Sequence, residues 1–180
     1  MDEKRSLREE IFETVRIVIV ALLVVIPIRI FVAQPFIVRG ASMKPNFLDG
    51  EYLVVDELSY RFTSPKRGDT VVFHYPRDER QFFIKRVIGL PGETVVISDG
   101  KVGIQKPDGT PVEDLNEPYL APRSLTAPEE LVKLKSDEYF VMGDNRADSF
   151  DSRSWGPLKE DLVIGKARFR LLPLSRLSAL

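Results

Sequence analysis

Ser42 is the residue whose setting first suggests chemistry. It follows an extended run, Phe36-Ile37-Val38-Arg39-Gly40, and opens Ser42-Met43-Lys44-Pro45 ahead of a turn built from Pro45, Asn46, Asp49 and Gly50. A hydroxyl on such an edge is open to an approaching chain, although serines beside turns mostly hydrogen-bond locally. To attack a carbonyl, the serine needs a base that takes its proton. Lys85 is a candidate for that base. In Phe82-Phe83-Ile84-Lys85-Arg86-Val87-Ile88, strand alternation puts Lys85 on the face of Phe83 and Val87, expected to be buried, and Arg86 on the other, expected to be solvated. Desolvation drags an ammonium pKa from about 10.4 toward neutrality, and the neutral amine is a usable base. On pattern alone, Lys85 also reads as a lysine lying along an edge strand with its head in water.

A third cluster runs from Gly143 through Asp144, Arg146, Ser149, Asp151 and Arg153 to Trp155 and Gly156. Acids and arginines alternate there beside Phe150 and Trp155, so Arg–carboxylate forks can set the loop's shape unless the loop is simply solvated. The single histidine, His74, limits the alternatives, because a Ser-His-Asp triad or a multi-histidine metal site must be built around it. Its place at the end of Val71-Val72-Phe73 reads better as a partly exposed strand-end residue. The absence of cysteine excludes disulfides, a thiolate nucleophile and cysteine zinc sites. Lys plus Arg total 26 against 27 for Asp plus Glu, with no basic run, so no nucleic-acid surface is expected. Neither a cofactor nor a metal is expected.

The elements that must position these residues are mostly strands. Runs rich in β-branched and aromatic residues and bounded by Gly, Pro, Asp or Asn predict strands near Glu51 to Val55, Thr70 to Tyr75, Phe82 to Gly89, Thr94 to Ser98, Lys101 to Gln105, Tyr139 to Gly143 and Leu162 to Leu171. Asp99-Gly100 predicts a tight hairpin and Asp108-Gly109 a further turn. Between Pro107 and Pro128 the composition shifts to Pro, Asp, Glu and Asn, predicting an excursion from the main sheet, with a short helix from Pro128 to Lys135 at its end. The remaining element precedes all of these. Ile17 to Ile28 is uncharged and apolar on every side, which predicts a helix without a polar face. At roughly 18 Å it is short for a bilayer core of about 30 Å, but Arg16 and Arg29 can reach back to the headgroups and stretch the span to Val15–Ala33, roughly 28 Å. A cleaved signal peptide and a buried soluble helix are the competing readings. Basic residues before the segment slightly outnumber those after it, favouring an amino terminus inside.

Taken together, Ser42-Met43-x-Pro45, Arg67-Gly68-Asp69-Thr70-Val71-Val72-Phe73, Lys85-Arg86-Val87-Ile88-Gly89-Leu90-Pro91-Gly92-Glu93, Gly143-Asp144-Asn145-Arg146 and Ser149-x-Asp151-Ser152-Arg153-x-Trp155-Gly156 resemble the bacterial type I signal peptidases, or leader peptidases. The resemblance implies a mainly β fold, an antiparallel sheet or barrel-like body with one amino-terminal transmembrane helix and a small inserted β/loop excursion. The expected divisions are a cytoplasmic tail (1–14), an anchor (15–33) and an extracytoplasmic catalytic domain (34–180) with its insertion at about 99–137. It implies cleavage of signal peptides from exported preproteins after small residues, at a plasma-membrane surface, with the lipid bilayer and a secretion translocon as partners. Ser42 resembles the nucleophile and Lys85 its base, while Ser149 matches the serine that orients the lysine. Asp144, Arg146, Asp151 and Arg153 match the charges that hold the loop. Phe36, Val38, Gly40, Met43, Phe47, Phe83 and Ile84 match substrate-facing positions. Gly40 stands where some relatives carry an oxyanion-binding serine, which leaves the Ser42 N–H as the main donor. Ala147-Asp148 departs from the usual pair of residues. Two alternatives fit less of the chain: a membrane-tethered module that binds extended peptides without cutting them, and a self-cleaving repressor-like protease.

Overall fold

The computed structural model describes residues 7–31 and 33–180. Residues 1–6 of the expected tail and Val32 of the expected anchor lie outside the described residues. The chain opens with helix α1 (Leu7–Phe31) and passes into β1 (Ala33–Ile37) and β2 (Tyr52–Asp56). Next come β3 (Thr70–Tyr75), β4 (Asp78–Gly89), β5 (Thr94–Ser98), β6 (Lys101–Gln105), β7 (Glu113–Asp114), β8 (Glu130–Lys133) and β9 (Glu138–Met142). A one-turn helix α2 (Ser152–Trp155) precedes β10 (Leu158–Lys159), β11 (Val163–Leu172) and β12 (Ser178–Ala179).

Every pairing among the described strands is antiparallel. The larger sheet has the order β1-β2-β11-β3-β4-β9-β10, with β12 on β11, and the smaller one the order β7-β6-β5-β8. Asp99 and Gly100 turn β5 into β6 with φ of 50° and 75°, the left-handed pair that a two-residue hairpin needs, which is why Asp-Gly suits the position. Strand β4 belongs to the site and to the core at once. Val71 pairs with Lys85 and Phe73 with Phe83, so these side chains share one face with Val87, against Tyr139, Val141 and Trp155. On the other face, Ile84 packs on Val38, Met43, Leu53 and Ala167. Ile88, Val95, Ile97 and Phe140 form a further core between the sheets.

One expected element needs correction. The stretch predicted as a helix, Pro128 to Lys135, holds β8 instead, with Val132 opposite Val95 and Glu130 opposite Ile97. The backbone groups on the open edge of β5 outweigh a helix too short to hold itself, and Leu134 is drawn into the core beyond the strand. Among the described residues, no helix is long and apolar enough to cross a membrane. Nor is α1 a buried soluble helix, because Phe12, Ile17 and Leu23 are each about 70% exposed and Val18, Ile19, Val20 and Leu22 about half.

Candidate active site

Ser42 stands at the mouth of a tight turn. The chain leaves β1 along β2, with the Val38 N–H donating to Glu51 O at 2.9 Å, and bends at Gly40, where φ is 86° and the N–H donates to Asp49 Oδ1 at 2.7 Å. That φ is costly for a residue with a Cβ, so glycine suits the bend and no hydroxyl side chain is offered there. The turn closes through Lys44 N–H to Ala41 O at 3.1 Å and Phe47 N–H to Met43 O at 2.9 Å. It rolls Met43 and Phe47 inward, where they are 1% and 3% exposed, so these two expected substrate contacts lie beneath the cleft in its supporting core.

Lys85 reaches the same spot from β4. Its Nζ lies 2.8 Å from Ser42 Oγ and donates to Ile84 O at 2.9 Å, with the Phe83 ring centre 5.4 Å away. The residue is 4% exposed. Burial pushes its ammonium down to about 8, against Asp151 and Asp144, which pull the other way. No carboxylate forms an ion pair with it among the described residues. A buried amine with a depressed pKa, bonded to a hydroxyl on a cleft, is equipped to take a proton from that hydroxyl near neutral pH.

The loop after β9 brackets this pair. Gly143 packs so closely that a Cβ would collide with Ser42 O and Ser149 Oγ. The Asp151 carboxylate caps α2, accepts from the Gly143 N–H at 3.0 Å and receives a fork from Arg153 at 2.8 Å on each arm. Burial alone would raise the Asp151 carboxyl, yet Arg153, the Gly143 N–H and the nearby Ser149 hydroxyl hold it below the usual carboxylate range. Ser149 Oγ is itself buried and completes no hydrogen bond of normal geometry among the described residues; it lies near Asp151 and Gly143 and is not bonded to Lys85.

The other two charges of the loop have partners far away in sequence. Asp144 is clasped by Arg86 at 2.8 and 2.6 Å and by Asn46 Nδ2 at 2.8 Å, while Arg146 forks onto Glu117 at 2.5 and 3.2 Å and donates to Thr126 Oγ1 at 2.7 Å. Arg86 therefore reverses its sequence reading: its guanidinium is stacked 4.2 Å from the Tyr119 ring centre and largely withdrawn from solvent. Glu117 and Thr126 give the excursion its place in the architecture by holding Arg146 of the loop beside Ser42 and Lys85, and Tyr119 does so through Arg86 and Asn46. Their only sequence signal was polar residues in an otherwise loop-like stretch, which says nothing about partners.

A cleft of about 570 Å³ lies in front of Ser42, walled by Phe36, Val38 and Gly40 on one side and Phe83, Ile84 and Lys85 on the other, with Phe82, Asp148 and Phe150 at its margin. Its walls are strand edges. Among the described residues, strand β1 pairs only with β2, and β4 is paired by β9 only from Arg86 onward, so the stretch before Arg86 keeps a free edge. His74 stands away from this cleft, its Nδ1 2.5 Å from Glu79 O and its ring against Phe82. Among the described residues no three His, Asp or Glu side chains gather as a metal site.

Residues 11–172 match the family described as signal peptidase, peptidase S26. The chain is 41% identical over 171 residues to the "Probable signal peptidase I-1" of Synechocystis sp., covering 91% of this chain and 84% of that protein. It is 37% identical to the signal peptidase I of Leptolyngbya laminosa, over 94% of this chain and 84% of that one. A crystal structure of a signal peptidase I from Enterococcus faecalis superposes with a TM-score of 0.48 at 31% identity, over 58% of this chain and 97% of that one. This chain belongs to the signal peptidase family, peptidase S26.

Proposed function

We propose that this protein is a serine endopeptidase that removes amino-terminal signal peptides from exported preproteins, with Ser42 as nucleophile and neutral Lys85 as general base. The observation that carries the mechanism is the 2.8 Å contact between Lys85 Nζ and Ser42 Oγ in a setting where the lysine is 4% exposed. An extended substrate lies in the cleft and pairs with the free edges of β1 and β4, which fixes its register through backbone bonds. Val38, Phe83 and Ile84 crowd the cleft beside Ser42 and leave room for small apolar side chains.

Ser42 Oγ attacks the scissile carbonyl as its proton passes to Lys85 Nζ. The oxyanion is met by the Ser42 N–H, which has no hydrogen-bond partner among the described residues. Lys85 then returns the proton to the leaving amine, and a water activated by the same amine releases the acyl group. Asp151–Arg153, Asp144–Arg86 and Arg146–Glu117 hold the loop that surrounds these steps.

Lipid is the cover that suits α1. Its large apolar side chains from Ile11 to Leu23 are exposed on every side, and Arg16 and Arg29 bracket the uncharged stretch in sequence. Residues 1–14 then lie inside, 15–33 in the plasma membrane and 34–180 outside, beside the translocon that delivers the substrate. Cleavage of a preprotein in detergent by wild type, Ser42→Ala and Lys85→Ala tests the mechanism. Product from wild type alone is expected, and turnover by either variant overturns the dyad. Separately, extraction of membranes with carbonate is expected to leave the protein in the pellet.

A further inference from the structure

The loop after β9 touches the nucleophile turn through one residue in two ways. The backbone N–H of Asn145 donates to Ser42 O at 2.9 Å, and its side-chain Nδ2 donates to Ala41 O at 3.2 Å. The Lys44 N–H adds a second bond to Ala41 O at 3.1 Å from within the turn. Two consecutive carbonyls of the nucleophile segment are therefore turned toward the loop. In a trans peptide the C=O of one residue and the N–H of the next point in opposite directions across a rigid plane. Drawing the Ala41 carbonyl toward Asn145 consequently turns the Ser42 N–H away from the loop, which leaves it unpaired among the described residues.

We infer that Asn145 is a positioning residue that aims the Ser42 N–H at the oxyanion. The inference rests on the Ser42 mechanism proposed above. Its importance is raised by Gly40, which has no hydroxyl to offer as a second donor and whose own N–H is taken by Asp49. With one N–H carrying the developing charge, the angle of that single peptide plane governs how much the tetrahedral state is stabilised over the bound substrate. The Asn145 side chain is not needed to hold the loop itself, because that is done by the Asp144, Arg146 and Asp151 pairs.

The test compares wild type, Asn145→Ala, Asn145→Asp and Ser42→Ala in detergent, with a peptide substrate and two ligands of matched sequence. One ligand ends in an aldehyde, which Ser42 Oγ adds to while its proton passes to Lys85, giving a hemiacetal oxyanion that needs the donor and an ammonium on Lys85. The other ends in a carboxamide and binds without reaction. Asn145→Ala is expected to lower kcat by about 10- to 100-fold with KM within twofold, a fraction of what removal of a whole donor costs. It is expected to weaken the aldehyde by a similar factor and leave the carboxamide unchanged. Asn145→Asp, which replaces the donor by an acceptor facing Ala41 O, is expected to be at least as impaired. Equal weakening of both ligands, or a kcat within threefold of wild type in both Asn145 variants, overturns the inference while Ser42→Ala remains inactive. Should Ser42→Ala still cut, the underlying mechanism fails instead, and the two failures are told apart. A thermal melt of each variant accompanies the kinetics, and a loss of kcat matched by a collapse of the melt in both variants counts against a positioning role.

Discussion

The two faces of β4 treat a buried cation in opposite ways. On one, Lys85 is enclosed by Phe83, Val71 and Val87 with a serine hydroxyl and a carbonyl for partners, and burial brings its pKa to about 8. On the other, the neighbouring Arg86 is nearly as enclosed but has a bidentate carboxylate, a carbonyl and an aromatic face. Each of the other buried arginines of the loop is likewise matched to an acid. The difference teaches that the arginines around the site are each buried with an acid, whereas Lys85, the proposed base, has none among the described residues.

The sharpest way to break the comparison is to remove its unpaired member. Lys85→Met is expected to lower preprotein cleavage by about 10³-fold or more. The same variant is expected to be the more stable protein. Below pH 8 both the folded and unfolded chains carry the lysine proton, and the folded one bears the full cost of burying it. Between pH 8 and 10.5 stability rises with pH, because the unfolded chain then holds more protons. At pH 7 denaturant unfolding is therefore expected to show a gain of about 3 kcal/mol for Lys85→Met. A loss of stability in that variant contradicts a desolvated amine.

Removing a partner on the paired face is expected to act in the other direction. Asp144→Ala strands Arg86 in the interior and is expected to cost about 3–5 kcal/mol in the same unfolding measurement. A third prediction follows the proton itself. With substrate saturating, the rate is expected to fall about tenfold for each pH unit below 8, since only neutral Lys85 accepts the Ser42 proton. A flat profile between pH 8 and pH 5 would remove the lysine as base. The smallest effect is expected where a pair is solvated: Asp114→Asn breaks the exposed bond from Lys101 on the smaller sheet and should leave activity and Tm unchanged.

The strands were readable because their residues announce them locally. Thr70–Tyr75, Thr94–Ser98 and Lys101–Gln105 have the predicted bounds, and Asp99-Gly100 turns where a left-handed pair must. Lys85 was readable for the same reason, since alternation along one strand puts it on the face of Phe83 and Val87. What alternation cannot supply is a partner from elsewhere. The opposite face of β4 was read as solvent because Asp144 and Tyr119, which enclose Arg86, lie far along the chain. Met43 and Phe47 were expected to face substrate from the family resemblance alone, whereas the direction in which this turn rolls is set by its own hydrogen bonds. The helix predicted over Pro128 to Lys135 failed similarly, for β8 exists only because β5 offers an edge.

The free edges of β1 and β4 carry one more consequence. A strand edge can bond only to backbone whose N–H and C=O groups are not already engaged with each other, so a coiled segment presents nothing for it to hold. The stretch to be cut must therefore be unwound before it can dock. On the docking proposed above, discrimination begins with the foldedness of the client: a compact domain that happens to display the right small residues is expected to be ignored, and a newly emerged chain to be caught in the interval before it closes upon itself.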